Sequence, residues 1–102
     1  MAYDHGFIPS IVDSADVSCT GSATTEIIAA DYDRVKLIIC NPDTNSNTMR
    51  ISDSNAAADH GFPLAPGAGI VLDGDCSMAW SAYNPGTAES LTVTSIKRQL
   101  RS

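Results

Sequence analysis

The residues that could act as a general base near neutral pH are His5 and His60, and each stands in the same tetrapeptide: Asp4-His5-Gly6-Phe7 and Asp59-His60-Gly61-Phe62. Nucleophilic catalysis would need such a base beside a Ser or Cys and an orienting acid. No Gly-x-Ser-x-Gly elbow, phosphate loop or dinucleotide fingerprint accompanies either histidine. Gly67-Ala68-Gly69 precedes an apolar strand rather than a helix, and Asp73 and Asp75 flank a turn glycine, where acidic residues are ordinary. Cys19, Cys40 and Cys76 are widely spaced and contain no Cys-x-x-Cys pair, which leaves zinc and redox chemistry unsupported. Cys40 and Cys76 read as small buried hydrophobes. A non-enzymatic protein without cofactor or metal is the expectation. The repeated tetrapeptide reads first as coincidence, because its flanks do not match. The other readings are equivalent sites on two neighbouring subunits, or an Asp/His metal site across a symmetry axis.

The elements available to position these residues are strands. Short runs rich in Val, Ile, Thr and Leu recur between Asn, Asp, Gly and Pro clusters, with no sustained helical period. Strands are expected near residues 17–20, 23–29, 34–40, 48–53, 69–73, 76–82 and 90–98, with a single helical turn over Asn55–Asp59. About seven strands in a 102-residue chain predict an all-β fold: a single antiparallel β-sandwich or jelly-roll-like domain over 17–102, preceded by an arm or edge segment over 1–16. Val35, Leu37 and Ile39 share one face. Cys76, Met78, Trp80 and Ala82 line another, with Trp80 as the central core aromatic. Leu91 and Val93 face inward, so Ile96 falls on the opposite face and marks a bulge or an interface residue. Asn41-Pro42 ends one strand, and Asp73-Gly74-Asp75 reads as a tight hairpin turn.

Charge narrows the partners. The formal net charge is −6, which argues against nucleic acid or an anionic membrane as partner. No apolar run approaches the roughly 20 residues of a membrane helix. Met1–His5 does not open a secretory signal, so synthesis in the cytoplasm is expected. Residues 1–33 carry Asp4, Asp13, Asp16, Glu26, Asp31 and Asp33 without Lys or Arg, whereas Lys97, Arg98 and Arg101 crowd the end. This is either a solvated surface with a basic tail or head-to-tail complementarity between subunits.

Residues 34–98 resemble the small β-sandwich proteins of tailed-phage virions. The shared pattern is an Arg leading an alternating strand that ends in Asn-Pro (Arg34–Pro42), then a short strand (Thr48–Asp53) and a Pro-Leu-x-Pro-Gly loop (Pro63–Gly67). A strand ending in Asp (Ile70–Asp73), an aromatic strand (Met78–Ala82) and a Thr/Val-rich strand (Leu91–Lys97) follow. The resemblance implies a head decoration protein on the outer surface of the virion, bound to the major capsid protein as a symmetric homo-oligomer, with a trimer favoured. Tyr3, Phe7, Ile8, Ile11, Lys97, Arg98 and Arg101 are the expected partner contacts. Similar loops occur in glycan-binding tail or fibre modules, where Tyr32, Trp80 and Tyr83 would be the candidates, and a head–tail connector is a further alternative.

Overall fold

Alternating apolar residues bury one side of a strand, and the computed structural model, which describes residues 10–53, 55–74 and 76–98, arranges such strands in two sheets. The strands are β1 (Ser10–Cys19), β2 (Ala23–Ile28), β3 (Arg34–Cys40), β4 (Met49–Ser52), β5 (Phe62–Leu64), β6 (Gly69–Asp73), β7 (Trp80–Asn84) and β8 (Glu89–Arg98). Sheet I has the order β1-β8-β3-β6 and sheet II the order β2-β7-β4-β5. Every pairing is antiparallel. This order is that of the eight-stranded jelly roll, and the all-β sandwich expected from the pattern is therefore the fold.

Leu37 and Ile39 from β3, Met49 and Ile51 from β4, Leu64, Ala82, Leu91 and Val93 meet between the sheets, joined by Cys19, Ile27 and Cys76. Trp80 packs against this core from its margin and is only half-buried. The centre belongs instead to aliphatic side chains on β3, β4, β5 and β8.

Several elements depart from the pattern reading, each for a physical reason. β1 begins at Ser10, so residues 10–16, grouped by sequence with the arm, pair with β8 from Ser10↔Arg98 onward. All of Ile11–Asp16 are exposed on this edge strand, and a strand with neither face buried shows no apolar alternation. β5 is three residues long and contains Pro63, a composition that signals an edge. Residues 76–79 lie outside the ladder, because the carbonyls of Cys76 and Met78 accept hydrogen bonds from the Arg34 side chain. Asp73-Gly74 does not close a hairpin; Gly74 takes φ +81° where the chain leaves sheet I for sheet II. Residues 55–59 form no helical turn, and Ala57 instead bridges His60 across a short turn. Cys40 is exposed, as alternation with the buried Leu37 and Ile39 requires, and only Cys19 and Cys76 are buried.

Candidate functional site: the outer face and free edge of sheet I

The expected partner residues are distributed unevenly. Tyr3, Phe7, Ile8 and Arg101 lie outside the described residues. Ile11, opposite Lys97 in the β1–β8 ladder, is 38% exposed. Lys97 ion-pairs within the chain, its Nζ 3.1 Å from Asp31 Oδ2, so at this position acid and base complement each other inside one subunit. The Asp31 carboxyl is held below the usual carboxylate range, first by the Asp33 N–H donating to it and then by Lys97. Arg98 is exposed, and its N–H donates to Asp33 O. The aromatic candidates do not converge. Tyr32 is exposed on the β2–β3 link, while alternation along β7 places Trp80 on the inner face and Tyr83 on the outer face.

Two residues of the strand pattern, Arg34 and Asn41, prove to be internal fasteners. A register shift on β3 between Arg34 and Lys36 inserts an extra residue. This bulge turns Arg34 inward, on the same side as Leu37, while Lys36 stays outside. Arg34, 3% exposed, donates from Nε to Cys76 O (2.8 Å), from Nη1 to Ala29 O (3.0 Å) and from Nη2 to Met78 O (2.6 Å). One guanidinium thereby ties the β2–β3 link to the β6–β7 link. At the opposite end of the sandwich Asn41 Nδ2 donates to Asn47 O and Leu64 O, and Asn45 Nδ2 to Asn41 Oδ1 and Ser90 O. Asn47 Nδ2 donates to Asn84 Oδ1, and Asn84 Nδ2 to Cys19 O and Thr87 O. The Glu89 carboxylate accepts from the N–H groups of Ser46 and Asn47. Among the described residues no buried side-chain polar atom lacks a partner, so both ends are closed internally.

The long sides of the sandwich differ from its ends. The outer face of sheet II is partly covered by its own β4–β5 link: Thr24 Oγ1 donates to Ala56 O, and Ala56 and Ser81 are both buried. Arg50 Nη1 holds the carbonyl of Gly61, which sits at φ +122° just before Phe62. The second tetrapeptide is thus part of this cover, and the first lies outside the described residues.

The outer face of sheet I has no such cover among the described residues. The register sets Ile38 between Val71 and Thr94, and Ser14 beside Thr94. In the next row Val12 faces Ile96, and Ile96 faces Lys36, which ion-pairs Asp73 at 3.8 Å. Val12 and Val71 are 61% and 59% exposed, and Ile38 and Ile96 half-buried, giving an apolar diagonal across all four strands. Ile96 therefore points outward, and the bulge lies on the neighbouring strand. The signal for this face was present in the uninterrupted triplets Leu37-Ile38-Ile39 and Ile70-Val71-Leu72, which leave no polar position for a solvated face. No known family, curated protein or solved structure matches the chain.

Proposed function

We propose that this protein is a non-enzymatic virion structural protein, a head decoration protein that binds the major capsid lattice and stabilises the shell. The observation that carries this reading is the open apolar diagonal Val12–Ile96–Ile38–Val71 on the outer face of sheet I, in a fold whose other outer face is polar and partly covered by its own loop. Contiguous exposed apolar surface marks interaction sites. It gains from burial at roughly 25 cal/mol per Å². The resemblance of residues 34–98 to small virion β-sandwich proteins supplies the capsid as partner. Ile11 and Arg98, at the paired ends of β1 and β8, are the described residues of the expected partner set that would add to this contact; Tyr3, Phe7, Ile8 and Arg101 remain partner contacts on the resemblance and the sequence alone. A ligand that binds only the assembled shell shifts the equilibrium towards the intact particle by mass action, which is the cementing effect.

The test is copy number and location in purified particles, by quantitative mass spectrometry and electron microscopy. Hundreds of copies on the shell are expected. Tens or fewer, at the tail or neck, would replace this reading with a fibre module or a connector.

A further inference from the structure

Among the described residues the sandwich has four edge strands, β1, β6, β2 and β5, and three of them are blunted. β5 is three residues long and carries Pro63, which cannot donate. β2 has a register shift between Glu26 and Ile28. β6 spans only Gly69–Asp73, and its Asp73 is engaged by Lys36. β1 is different: ten residues, the longest of the four edges, regular in register along its whole pairing with β8, without Pro, Gly or Lys, exposed on both faces from Ile11 to Asp16, and charged only at Asp13 and Asp16. A long regular edge with free N–H and C=O groups is a template for a further strand.

We propose that this edge pairs antiparallel with β1 of a second copy, about a two-fold axis through Ser14, joining two sheets I into one eight-stranded sheet. A ring would require β1 to meet a different edge of its neighbour, and the other three edges are the blunted ones. An isologous pair needs only β1 itself. That favours two-fold pairing over the trimer suggested by the resemblance.

The composition of β1 then selects the register. A two-fold perpendicular to the sheet must pass through a residue, so that each side chain meets one on the same face. An axis through Asp13 or Asp16 sets a carboxylate against its own copy, which is unfavourable. Axes through Val12 or Val17 align only short ends. An axis through Ala15 places Ile11 opposite Cys19, which is buried within its own sandwich. The axis through Ser14 pairs Ile11 with Val17, Asp13 with Ala15 and Val12 with Asp16, with no like charges opposed, over Ser10 to Ser18. At its centre Ser14, already bonded to Thr94 Oγ1 at 2.9 Å, meets its own copy, so hydroxyl groups line the seam. This pairing stands independently of the capsid reading, because it needs no particle.

Sedimentation of the full chain over a concentration series up to millimolar, without particles, tests it. The wild type is expected to show reversible dimers. Ser14→Asp and Ser14→Lys each oppose like charges and should weaken dimerisation at least about fivefold, while an equimolar mixture of the two restores it as a mixed dimer. The restoration also shows that both variants are folded. A wild type that stays monomeric throughout would leave the edge to a strand of another protein and overturn the proposal. So would variants that dimerise like the wild type. Tighter dimers of Ser14→Lys alone would overturn the register, since they would place Asp16 opposite position 14.

Discussion

The two ends of the sandwich are closed by opposite chemical strategies. At one end a single buried cation, Arg34, gathers the carbonyls of Ala29, Cys76 and Met78. At the other, Asn41, Asn45, Asn47 and Asn84 share the task, each amide bonding another or the backbone of the next link. The charged end concentrates its bonding in one side chain, and the amide end distributes it. A concentrated network fails at one substitution, whereas a distributed one loses a part. Since among the described residues no buried polar side-chain atom at either end lacks a partner, the apolar surface left for recognition lies on the sides of the sandwich.

Arg34→Ala should be the most damaging change at either end. It strands three carbonyls in a closed site and should cost about 3 kcal/mol in urea denaturation. Arg34→Lys should recover little, because an ammonium cannot span the same fork of acceptors. A loss smaller than that of any single amide variant would break the contrast. Asn84→Ala should cost about 2 kcal/mol by the same measurement, since the other amides keep the links partly tied.

Gly86→Ala sharpens the amide end further. A Cβ there would lie 2.5 Å from Asn47 Oδ1, so the amide must move and surrender its bonds to Asn84 and Thr87. A loss of about 1–2 kcal/mol is expected. If the variant matches wild-type stability, Asn47 is not a fastener.

The smallest effect belongs to Asp31→Asn at the charged end. The folded-state carboxyl titrates below its unfolded range, owing first to the Asp33 N–H and then to Lys97. Its contribution is therefore present above the unfolded carboxyl range and lost as the pH falls through the folded value. The variant should be slightly less stable than wild type at neutral pH and indistinguishable from it in acid. A difference that persists in acid would point to a cause other than this titration.

Much of the fold was legible in the sequence. Val35–Cys40, Ile70–Asp73 and Leu91–Ile96 announced strands through their apolar alternation or runs, and Asn41-Pro42 announced a stop. β1 was hidden over residues 10–16 because an edge strand exposed on both sides has no alternation to read. The strand expected over 76–82 was misplaced because Arg34 draws the carbonyls of Cys76 and Met78 out of the ladder, a tertiary effect invisible locally. Asp73-Gly74 correctly signalled a turn, but a turn does not reveal whether the next strand pairs or changes sheet. At the candidate site, Ile11 and Arg98 lie at the accessible end of the β1–β8 ladder, while Lys97 is tied to Asp31. Val12, Ile38 and Val71 were passed over because each sits in a run that could equally fill a core.

The central claim is that the working surface is the outer face and β1 edge of sheet I, with both ends silent. Hydrogen–deuterium exchange of the protein, free and bound to purified capsids, tests this most directly. Protection confined to residues 10–16, 36–40, 70–73 and 92–98 is the predicted result; protection centred on the amide end, residues 41–48 and 84–88, with sheet I unchanged, would contradict it.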